Sequence, residues 1–327
     1  MRVLVYVESG AVRGGIEIFA ERRVARLREG GDEVKVVGSC EEALSADFGS
    51  WDEIEVHKCP DVGTLEMFPP EKTVVYVHDH DPICPRSYAY TPFGMNCSRC
   101  AGLIPCLFCA PLCRNWKAAL GRVLSQSRRL AALRRVRKVV VISEFMKSRL
   151  VANGIPAEKV SVEPPKISVG EDFPVPRSPL PRVDLLFVGQ LIRGKGVQLL
   201  LKAMAMMKSP RTLDVVGAGN MEPKLRALAE RLGVADRVRW RGFQENPADW
   251  MRAAKCVVVP SFWQEPYGLV AAEAVALGRP CVAFAIGGLP EAGQGKATLV
   301  PPGDVGALAR ALEEACGQVE PLACVRR

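Results

Sequence analysis

Two glutamates in the apolar stretch 260–280 are the residues whose type and spacing most directly suggest chemistry. Seven residues separate Glu265 from Glu273, and Pro266 suits the first position of a helix. The pattern therefore predicts Glu265 near the N-cap and Glu273 about two turns inside. Two carboxylates would repel a phosphate there, whereas each can accept hydrogen bonds from adjacent hydroxyl groups. We expect Glu273 to bind the hydroxyl groups of a ribose and Glu265 to bind those of a hexose. In the alternative interpretation, Glu265 only complements the helix dipole and Glu273 is a surface residue.

A glycine loop between an apolar strand and an apolar helix carries two basic residues. The stretch DLLFVG at 184 is followed by QLIRGKG, with Arg193 and Lys195, and then by VQLLLKAMAMM. Backbone N–H groups at a helix start attract phosphate. Gly189, Gly194 and Lys195 match most of a P-loop, but Gly196 stands where that motif has the Ser or Thr that holds magnesium. The loop predicts a phosphate contact with no obvious need for a metal; a solvated loop with two surface cations is the alternative.

Two further glycine turns follow predicted strands. VVGAGN at 215 contains Gly217 and Gly219, but Glu222 stands where a GxGxxG motif has its third glycine, so the match supports NAD binding only weakly. ESGAVRGGIE places Gly14 and Gly15 before the amphipathic segment IEIFAERRVARLRE. Tight packing of the turns would explain these glycines equally well.

Six of the twelve cysteines fall between positions 84 and 113 and include two CxxC pairs. The pairs lie closer together than in ordinary zinc ribbons. Zinc or an iron–sulfur cluster could be held there in a structural role, and free thiols or a disulfide are the alternatives. The four candidate ligands are Cys97, Cys100, Cys106 and Cys109.

The sequence HDHD at 78–81 also has residue types that bind metals. The chain contains only three histidines, at 57, 78 and 80, so a histidine-rich metal centre is not expected. For His78, the plain alternative is a core or capping residue.

Apolar, β-branched segments alternate with helical segments along the chain, which is typical of βαβ units and a parallel sheet. Their continuous apolar character indicates strands covered by helices on both faces. A run with six prolines between Pro164 and Pro181 favours a domain boundary. We predict two Rossmann-like domains, 1–165 and 183–327, joined by the linker 166–182 and with a ligand cleft between them. The strand segments begin at 3, 33, 73, 139, 184, 213, 256 and 281.

The composition of the 327 residues is that of a globular protein, with 48% hydrophobic and 24% charged residues. No apolar run reaches 18 residues, and the amino terminus does not complete a signal-peptide pattern. These features exclude disordered and fibrous classes and predict a soluble, cytoplasmic protein.

The net charge of +8 is concentrated between Arg114 and Arg149, where eleven basic residues face one acid, Glu144. Apolar residues recur there at helical spacing, which predicts an amphipathic basic helix. Such a helix could lie on an anionic membrane or meet a diphosphate-bearing acceptor, or could simply pack on the first sheet with a solvated basic face. The aromatic residues expected of a nucleic-acid platform are missing, so no nucleic acid is expected. The apolar positions are Trp116, Leu120, Val123, Leu124, Leu130 and Ala131.

Taken together, the motifs resemble glycosyltransferase family four, the retaining enzymes of the GT-B fold. The resemblance covers nearly the whole sequence. It rests on GGIE, HD, VISEFMKSRLVANGI, the FVG...KG loop, VVGAGN, EPYGLVAAE and GGLPEA with LVPPGD. It implies an α/β GT-B architecture, a nucleotide diphosphate sugar as donor, no metal in catalysis, and retention by a front-face displacement in which the leaving phosphate helps deprotonate the acceptor.

The same resemblance implies roles for individual residues. Lys195 would stabilise the departing diphosphate, Glu265 would contact the transferred sugar, and His78 would lie near the reacting sugar. The family usually has Arg directly after the loop glycine, where this chain has Gln190, and we expect Arg193 to supply that charge. The residues assigned to donor binding are Gly15, Arg193, Gly219, Tyr267, Gly268, Leu269 and Glu273.

The sequence thus predicts a hexosyltransferase of polysaccharide biosynthesis acting on a carbohydrate or lipid-linked acceptor. The alternatives are a GT-B nucleotide-sugar epimerase or phosphorylase, and a noncatalytic protein that binds anionic polymers.

Overall fold

The computed structural model describes residues 1–8, 15–58, 61–85, 89–90, 96–98, 106, 116–167 and 182–317. The chain divides into two compact units, Met1–Pro165 and Lys166–Arg327, each with its own six-stranded sheet. Most of the predicted linker falls at 168–181, outside the described residues. Within the described ranges, every helix is too short or too polar to cross a bilayer.

The first unit contains a parallel sheet in the order β2-β1-β3-β4-β5-β6. The chain order reverses between β1 and β3, which makes their carboxyl ends the topological switch point of this sheet. The strands are β1 (Arg2–Val7), β2 (Glu33–Val37), β3 (Glu53–His57), β4 (Thr73–Val77), β5 (Lys138–Val141) and β6 (Val160–Val162). The helices are α1 (Gly15–Glu29), α2 (Cys40–Leu44), α3 (Val62–Met67), α4 (Trp116–Arg135) and α5 (Glu144–Ala152).

The second unit contains a parallel sheet in the order β12-β11-β10-β7-β8-β9. Its switch point lies between the adjacent strands β7 and β10. The strands are β7 (Val183–Val188), β8 (Leu213–Val216), β9 (Val238–Gly242), β10 (Ala254–Val259), β11 (Cys281–Phe284) and β12 (Thr298–Val300). The helices are α6 (Val197–Met206), α7 (Glu222–Arg231), α8 (Pro247–Ala253), α9 (Leu269–Ala276), α10 (Leu289–Ala292) and α11 (Val305–Gly317).

Burial of the central strands explains why they read as unbroken apolar runs. All five residues of β4 are buried, and in the second unit α11 packs against β10 and β11 while α6 contributes to the same apolar core. Because such strands have no solvent-facing side, both faces of the sheet carry aliphatic side chains. These two cores hold the loops at the carboxyl ends of the strands.

All eight predicted segments form strands, and the predicted α/β class with two parallel sheets is confirmed. Four strands were not predicted. In β3 and β9, buried or half-buried charged residues interrupt the apolar pattern, whereas β6 and β12 have only three residues each. The interrupting charges are paired within the fold: Glu55 with Arg23, and the two arginines of β9 with Asp214.

The basic region between 114 and 149 is not one helix. It contains α4, the strand β5 and most of α5, because the buried aliphatic residues of β5 pair between β4 and β6 in the sheet. On α4, Val123 and Leu130 are buried as predicted, whereas Leu124 and Ala131 are exposed. The prediction of which residues form the apolar face of this helix is therefore wrong in part.

Candidate functional site

Lys195 and Glu265 form an ion pair at the switch point of the second sheet. The Lys195 Nζ atom lies 2.6 Å from Glu265 Oε1. Lys195 ends the short 3-10 turn Arg193–Lys195 that follows β7, and Glu265 lies in the loop that follows β10. Because β7 and β10 are adjacent and parallel, these loops leave the sheet at the same edge. Open α/β sheets bind ligands at this edge.

The Glu265 carboxylate is buried, and its Oε1 atom accepts two hydrogen bonds. Only 6% of the residue is exposed, and the Ser261 hydroxyl also donates to Oε1, at 2.7 Å. Burial by itself would raise the pKa of Glu265, but the charge of Lys195 and the hydrogen bonds from Lys195 and Ser261 outweigh it and hold the pKa below its ordinary value. The carboxylate is therefore ionised at neutral pH and can accept hydrogen bonds from hydroxyl groups.

Trp263 joins the loops that carry the two charged residues. Its ring centroid lies 5.1 Å from Lys195 Nζ, within the range in which an aromatic face attracts an ammonium group. The ring also covers Gly194, where an added Cβ would approach the indole to 3.1 Å. In addition, the backbone N–H of Phe262 donates to the Gly194 carbonyl at 3.0 Å. The position of the ammonium group is thus set from both loops.

Gly196 is required by the close approach of these loops. It has a φ of +78°, and a Cβ at this position would lie 1.7 Å from the Pro260 carbonyl oxygen. A side chain would therefore displace the start of α6 from the loop after β10. This contact explains why a glycine, rather than the Ser or Thr of a P-loop, follows Lys195.

The helix after Glu265 begins later than the sequence predicts. α9 starts at Leu269, and Gly268 before it has a φ of +112°. The prediction that Pro266 opens the helix, with Glu265 near its N-cap, is therefore wrong. The loop is held instead by a hydrogen bond from the Gly288 N–H to the Glu265 carbonyl, at 2.8 Å.

The other predicted donor-binding residues of this loop take different positions. Tyr267 is buried, and burial raises the pKa of its hydroxyl. Glu273 lies about one turn inside α9, not two, and is half-buried. Arg193 precedes Lys195 by two residues and is exposed, as is Gln190, so the structure puts Arg193 beside the loop without joining it to the ion pair.

Gly219 lies where the loops after β7 and β8 pack together. A Cβ on Gly219 would come within 2.4 Å of the Leu191 carbonyl oxygen. The Leu191 N–H donates to Ala218, and the Met221 N–H donates to Leu191, each at 2.9 Å. Packing therefore accounts for this glycine, at the same sheet edge as Lys195.

In the first unit, His78 follows β4 and is nearly buried. Its Nε2 lies 3.4 Å from Nδ1 of His57, the last residue of β3. Burial lowers the pKa of His78 to about 3, so its imidazole is neutral at neutral pH. Gly15 begins α1. The sequence analysis did not single out His57; the alternation of Glu53, Glu55 and His57 on one face of β3 was the available signal.

The predicted cysteine ligands are only partly described. Cys97 and Cys106 lie within the described residues, whereas Cys100 and Cys109 lie outside them. The Cys97 carbonyl accepts from Arg149 at 3.1 Å, which ties this position to α5. Among the described residues, no three His, Cys, Asp or Glu side chains are grouped to hold a metal, so a metal at the four cysteines stays a prediction.

Residues 182–318 match the family model described as "Glycosyl transferases group 1". A D-inositol 3-phosphate glycosyltransferase of Streptomyces coelicolor is 42% identical over 145 residues, covering 39% of this chain and 32% of the relative. An uncharacterized glycosyltransferase of Methanocaldococcus jannaschii is 38% identical over 111 residues, covering 33% of this chain and 28% of the relative. The chain thus matches about a third of the length of these curated relatives.

Solved structures match almost the whole chain in fold. HepE of Anabaena in complex with UDP has a TM-score of 0.67 at 18% identity, covering 97% of this chain and 90% of that one. Sucrose-phosphate synthase of Thermosynechococcus elongatus has a TM-score of 0.70 at 19% identity, with the same coverage. WaaG, a glycosyltransferase involved in lipopolysaccharide biosynthesis, has a TM-score of 0.65 at 19% identity, also with 97% and 90% coverage. The two parallel sheets are those of the GT-B glycosyltransferase fold.

Proposed function

We propose that the chain is a retaining glycosyltransferase that moves a sugar from a nucleotide diphosphate sugar to a carbohydrate or lipid-linked acceptor. The observation that carries the proposal is the Lys195–Glu265 ion pair at the carboxyl ends of β7 and β10. It lies within the part of the chain that matches the glycosyltransferase model. Complexes of HepE with UDP and with UDP-glucose support a nucleotide sugar as the donor.

The chemistry requires stabilisation of the leaving group. When the bond between the sugar and the β-phosphate breaks, negative charge grows on the phosphate oxygens, and a fixed ammonium group stabilises that charge. We assign this role to Lys195, whose ammonium group contacts Trp263 and Glu265. The leaving oxygen then accepts the proton of the acceptor hydroxyl as this hydroxyl attacks the same face of the sugar, so the anomeric configuration is retained.

Glu265 supplies the complementary contact with the sugar. Its ionised carboxylate accepts hydrogen bonds from hydroxyl groups, and its charge disfavours a phosphate at the same position. The transferred sugar therefore lies toward Glu265 and the diphosphate toward Lys195. Glu273 would bind the ribose hydroxyls, while Arg193 would contact a phosphate. The backbone of Gly268 and Leu269, with Tyr267, would complete the donor site.

The first experiment tests donor binding and sugar release. In a thermal-shift screen of nucleotide diphosphate sugars, one donor should stabilise the protein, because ligand that binds only the folded state raises its stability. With that donor, Lys195→Ala should lower kcat by about 10²–10³. Lys202→Ala, which removes an exposed lysine from α6 nearby, is the matched control and should leave turnover unchanged.

The outcomes separate the proposal from its alternatives. Product with the anomeric configuration of the donor supports a retaining transferase, and product with the opposite configuration rejects retention. An epimerised nucleotide sugar, or a sugar 1-phosphate formed with inorganic phosphate, would identify an epimerase or a phosphorylase. Salt-sensitive binding of an anionic polymer that survives both Lys195→Ala and Glu273→Ala, with no turnover, would identify a binding protein.

We also propose that α4 contacts an anionic membrane peripherally. One face of the helix is exposed and contains Lys117, Leu124, Arg128 and Arg135, spaced so that Leu124 lies between basic residues. Leu124 is 63% exposed, and such a face suits an anionic interface. Sedimentation with phosphatidylglycerol vesicles should be weakened by Leu124→Gln and unaffected by Leu44→Gln, a change at a comparably exposed leucine of α2. Equal sedimentation of both variants and the wild type would reject the contact.

A further inference from the structure

A row of polar side chains in contact with one another leads from α1 through β3 to His78. The guanidinium group of Arg23 donates to Glu55, with Nη2 2.6 Å from Oε1. On the other side of the same carboxylate, Oε2 lies 3.5 Å from His57 Nε2, an electrostatic contact rather than a hydrogen bond. The remaining nitrogen of His57, Nδ1, lies 3.4 Å from His78 Nε2. Glu55 and His57 are 0% and 1% exposed, so these contacts are shielded from water.

The neighbouring rings fix the orientation of the His57 imidazole. Its ring stacks on Tyr76, with centroids 4.5 Å apart and planes 8° from parallel. It also stacks less closely on His78, at 5.7 Å and 17°, and Phe19 packs against the edge of His78. Each ring nitrogen of His57 is therefore held toward one partner, Nε2 toward Glu55 and Nδ1 toward His78.

The donor and acceptor roles follow from the chemistry of these groups. The negative charge of Glu55 favours a proton on the His57 nitrogen that faces it, because a lone pair turned toward a carboxylate would be repelled. Arg23 already neutralises Glu55, and a second cation in this buried place would be costly, so His57 is neutral. The His57 Nδ1 atom then has a lone pair and accepts a hydrogen bond from Nε2–H of His78. His78 is left with an unprotonated Nδ1.

We propose that Glu55 and His57 are positioning residues that fix the tautomer of His78, so that His78 presents Nδ1 as a hydrogen-bond acceptor. Given the proposed function, this acceptor would receive a hydroxyl group of a substrate. In the opposite tautomer of His78, Nδ1 carries the proton and is a donor. The hydroxyl group could then no longer donate its own proton to Nδ1. The two residues act through His78.

The tautomers can be measured directly, because the chain has only three histidines. In protein labelled with ¹⁵N-histidine, the nitrogen chemical shifts distinguish protonated from unprotonated ring nitrogens. At neutral pH, we expect His78 protonated on Nε2 only and His57 protonated on Nε2 only. A wild-type His78 protonated on Nδ1, or a His57 protonated on both nitrogens, would overturn the proposal without any variant.

The variant Glu55→Gln provides a sharper test. Arg23 can only donate, so the amide oxygen should face Arg23 and the amide NH₂ should face His57. The NH₂ group then donates to His57 Nε2, the His57 proton moves to Nδ1, and His78 becomes the Nδ1–H tautomer. An unchanged His78 tautomer in a folded Glu55→Gln protein would overturn the proposal.

Tyr76→Phe is the matched control. The Tyr76 hydroxyl donates to Glu55 Oε1 at 3.3 Å, on the side away from His57. Its removal takes a hydrogen bond from the same buried carboxylate and keeps the ring that stacks on His57. The tautomers of His57 and His78 should therefore stay as in the wild type, and reversal in this variant would also contradict the mechanism.

Turnover distinguishes failure of this inference from failure of the proposed function. With an active donor, Glu55→Gln should lower kcat by about tenfold or more and change the donor KM little, because the wrong tautomer of a positioned histidine impairs catalysis. If the tautomers are as expected but no donor is turned over, the proposed function fails and the positioning role of Glu55 stands. If a donor is turned over but Glu55→Gln leaves the tautomer unchanged, only the positioning role fails.

Discussion

Lys195 and Glu265 lie 70 positions apart in the sequence, yet their charged groups are 2.6 Å apart. The sheet topology brings them together, because Lys195 follows β7 and Glu265 follows the neighbouring strand β10. The glutamate is almost completely buried, whereas the lysine side chain is 23% exposed. The pair therefore consists of a fixed carboxylate and an ammonium group that a ligand can still reach.

Removing the lysine should destabilise the second unit. In Lys195→Ala, the buried Glu265 carboxylate loses its counter-charge, and we expect the free energy of unfolding at pH 7 to fall by about 2 kcal/mol. The double variant Lys195→Ala/Glu265→Gln should recover part of this loss, because no buried charge is left unpaired. Urea denaturation of the wild type, the single variant and the double variant measures the effect. Equal stability of the single and double variants would contradict the explanation by an unpaired buried charge.

The same pair predicts a dependence on pH. The folded-state pKa of Glu265 lies below its ordinary value of 4.5, so the folded state binds fewer protons than the unfolded state in this range. The stabilisation is fully present above pH 4.5 and is lost as the pH falls through the lower, folded-state pKa. Glu265→Gln should therefore flatten the acid limb of the stability curve, whereas Glu230→Gln, at an exposed glutamate of α7, should not.

Gly196 should be far less tolerant of alanine than a glycine with the same backbone conformation in open space. Gly233 has a φ of +66° with no atom within 4 Å of an added Cβ, so Gly233→Ala should cost about 1 kcal/mol from backbone strain alone. At Gly196, the added Cβ also meets the Pro260 carbonyl, and we expect Gly196→Ala to cost at least about 3 kcal/mol. Similar midpoints of denaturation for the two variants would contradict this expectation. They would show that the loops after β7 and β10 can move apart with little loss of stability.

The central strands were predictable from sequence because burial on both faces leaves a nearly continuous apolar pattern, as in β4 and β11. β3 could not be recognised in this way, because Glu55 and His57 interrupt it. The charge of Glu55 is acceptable in the interior because Arg23, on α1, pairs with it, and the sequence of a single strand does not contain that partner. The residues that break the pattern are thus the ones that form the buried network.

The candidate site was predictable in residue type but not in geometry. Glu265 and Lys195 could be selected from their motifs, but their direct contact depends on the adjacency of β7 and β10. The later start of α9 depends on Gly268, whose left-handed backbone holds the chain against Leu289. Pro266 favours a helix start locally, and this tertiary contact overrides that preference.

Asp79 should destabilise the first unit at neutral pH. Burial, with the charge of Asp81, raises the pKa of Asp79 from 3.8 to about 6. The folded state therefore binds more protons than the unfolded state between these values, and stability is lost as the pH rises from about 4 to 6. Asp79→Asn keeps the acceptor for the Asp81 N–H and should raise the free energy of unfolding at pH 8 by about 1–2 kcal/mol. At pH 4 the difference should be small, and an equal gain at both pH values would contradict this cause.

Glu265→Gln should separate binding of the leaving group from transfer of the sugar. In the free protein the carboxylate competes with a diphosphate for Lys195, and replacing it with a neutral amide removes both this competition and a like-charge repulsion. We expect the nucleoside diphosphate of the active donor to bind about threefold to tenfold more tightly, as measured by calorimetry. Turnover of the intact donor should fall, because the amide presents one acceptor oxygen where the carboxylate has two.

The control variant Glu230→Gln should change neither diphosphate binding nor turnover. Weaker diphosphate binding in Glu265→Gln would mean that Glu265 mainly holds Lys195 in place, and the assignment of the sugar to the side of Glu265 would have to be abandoned.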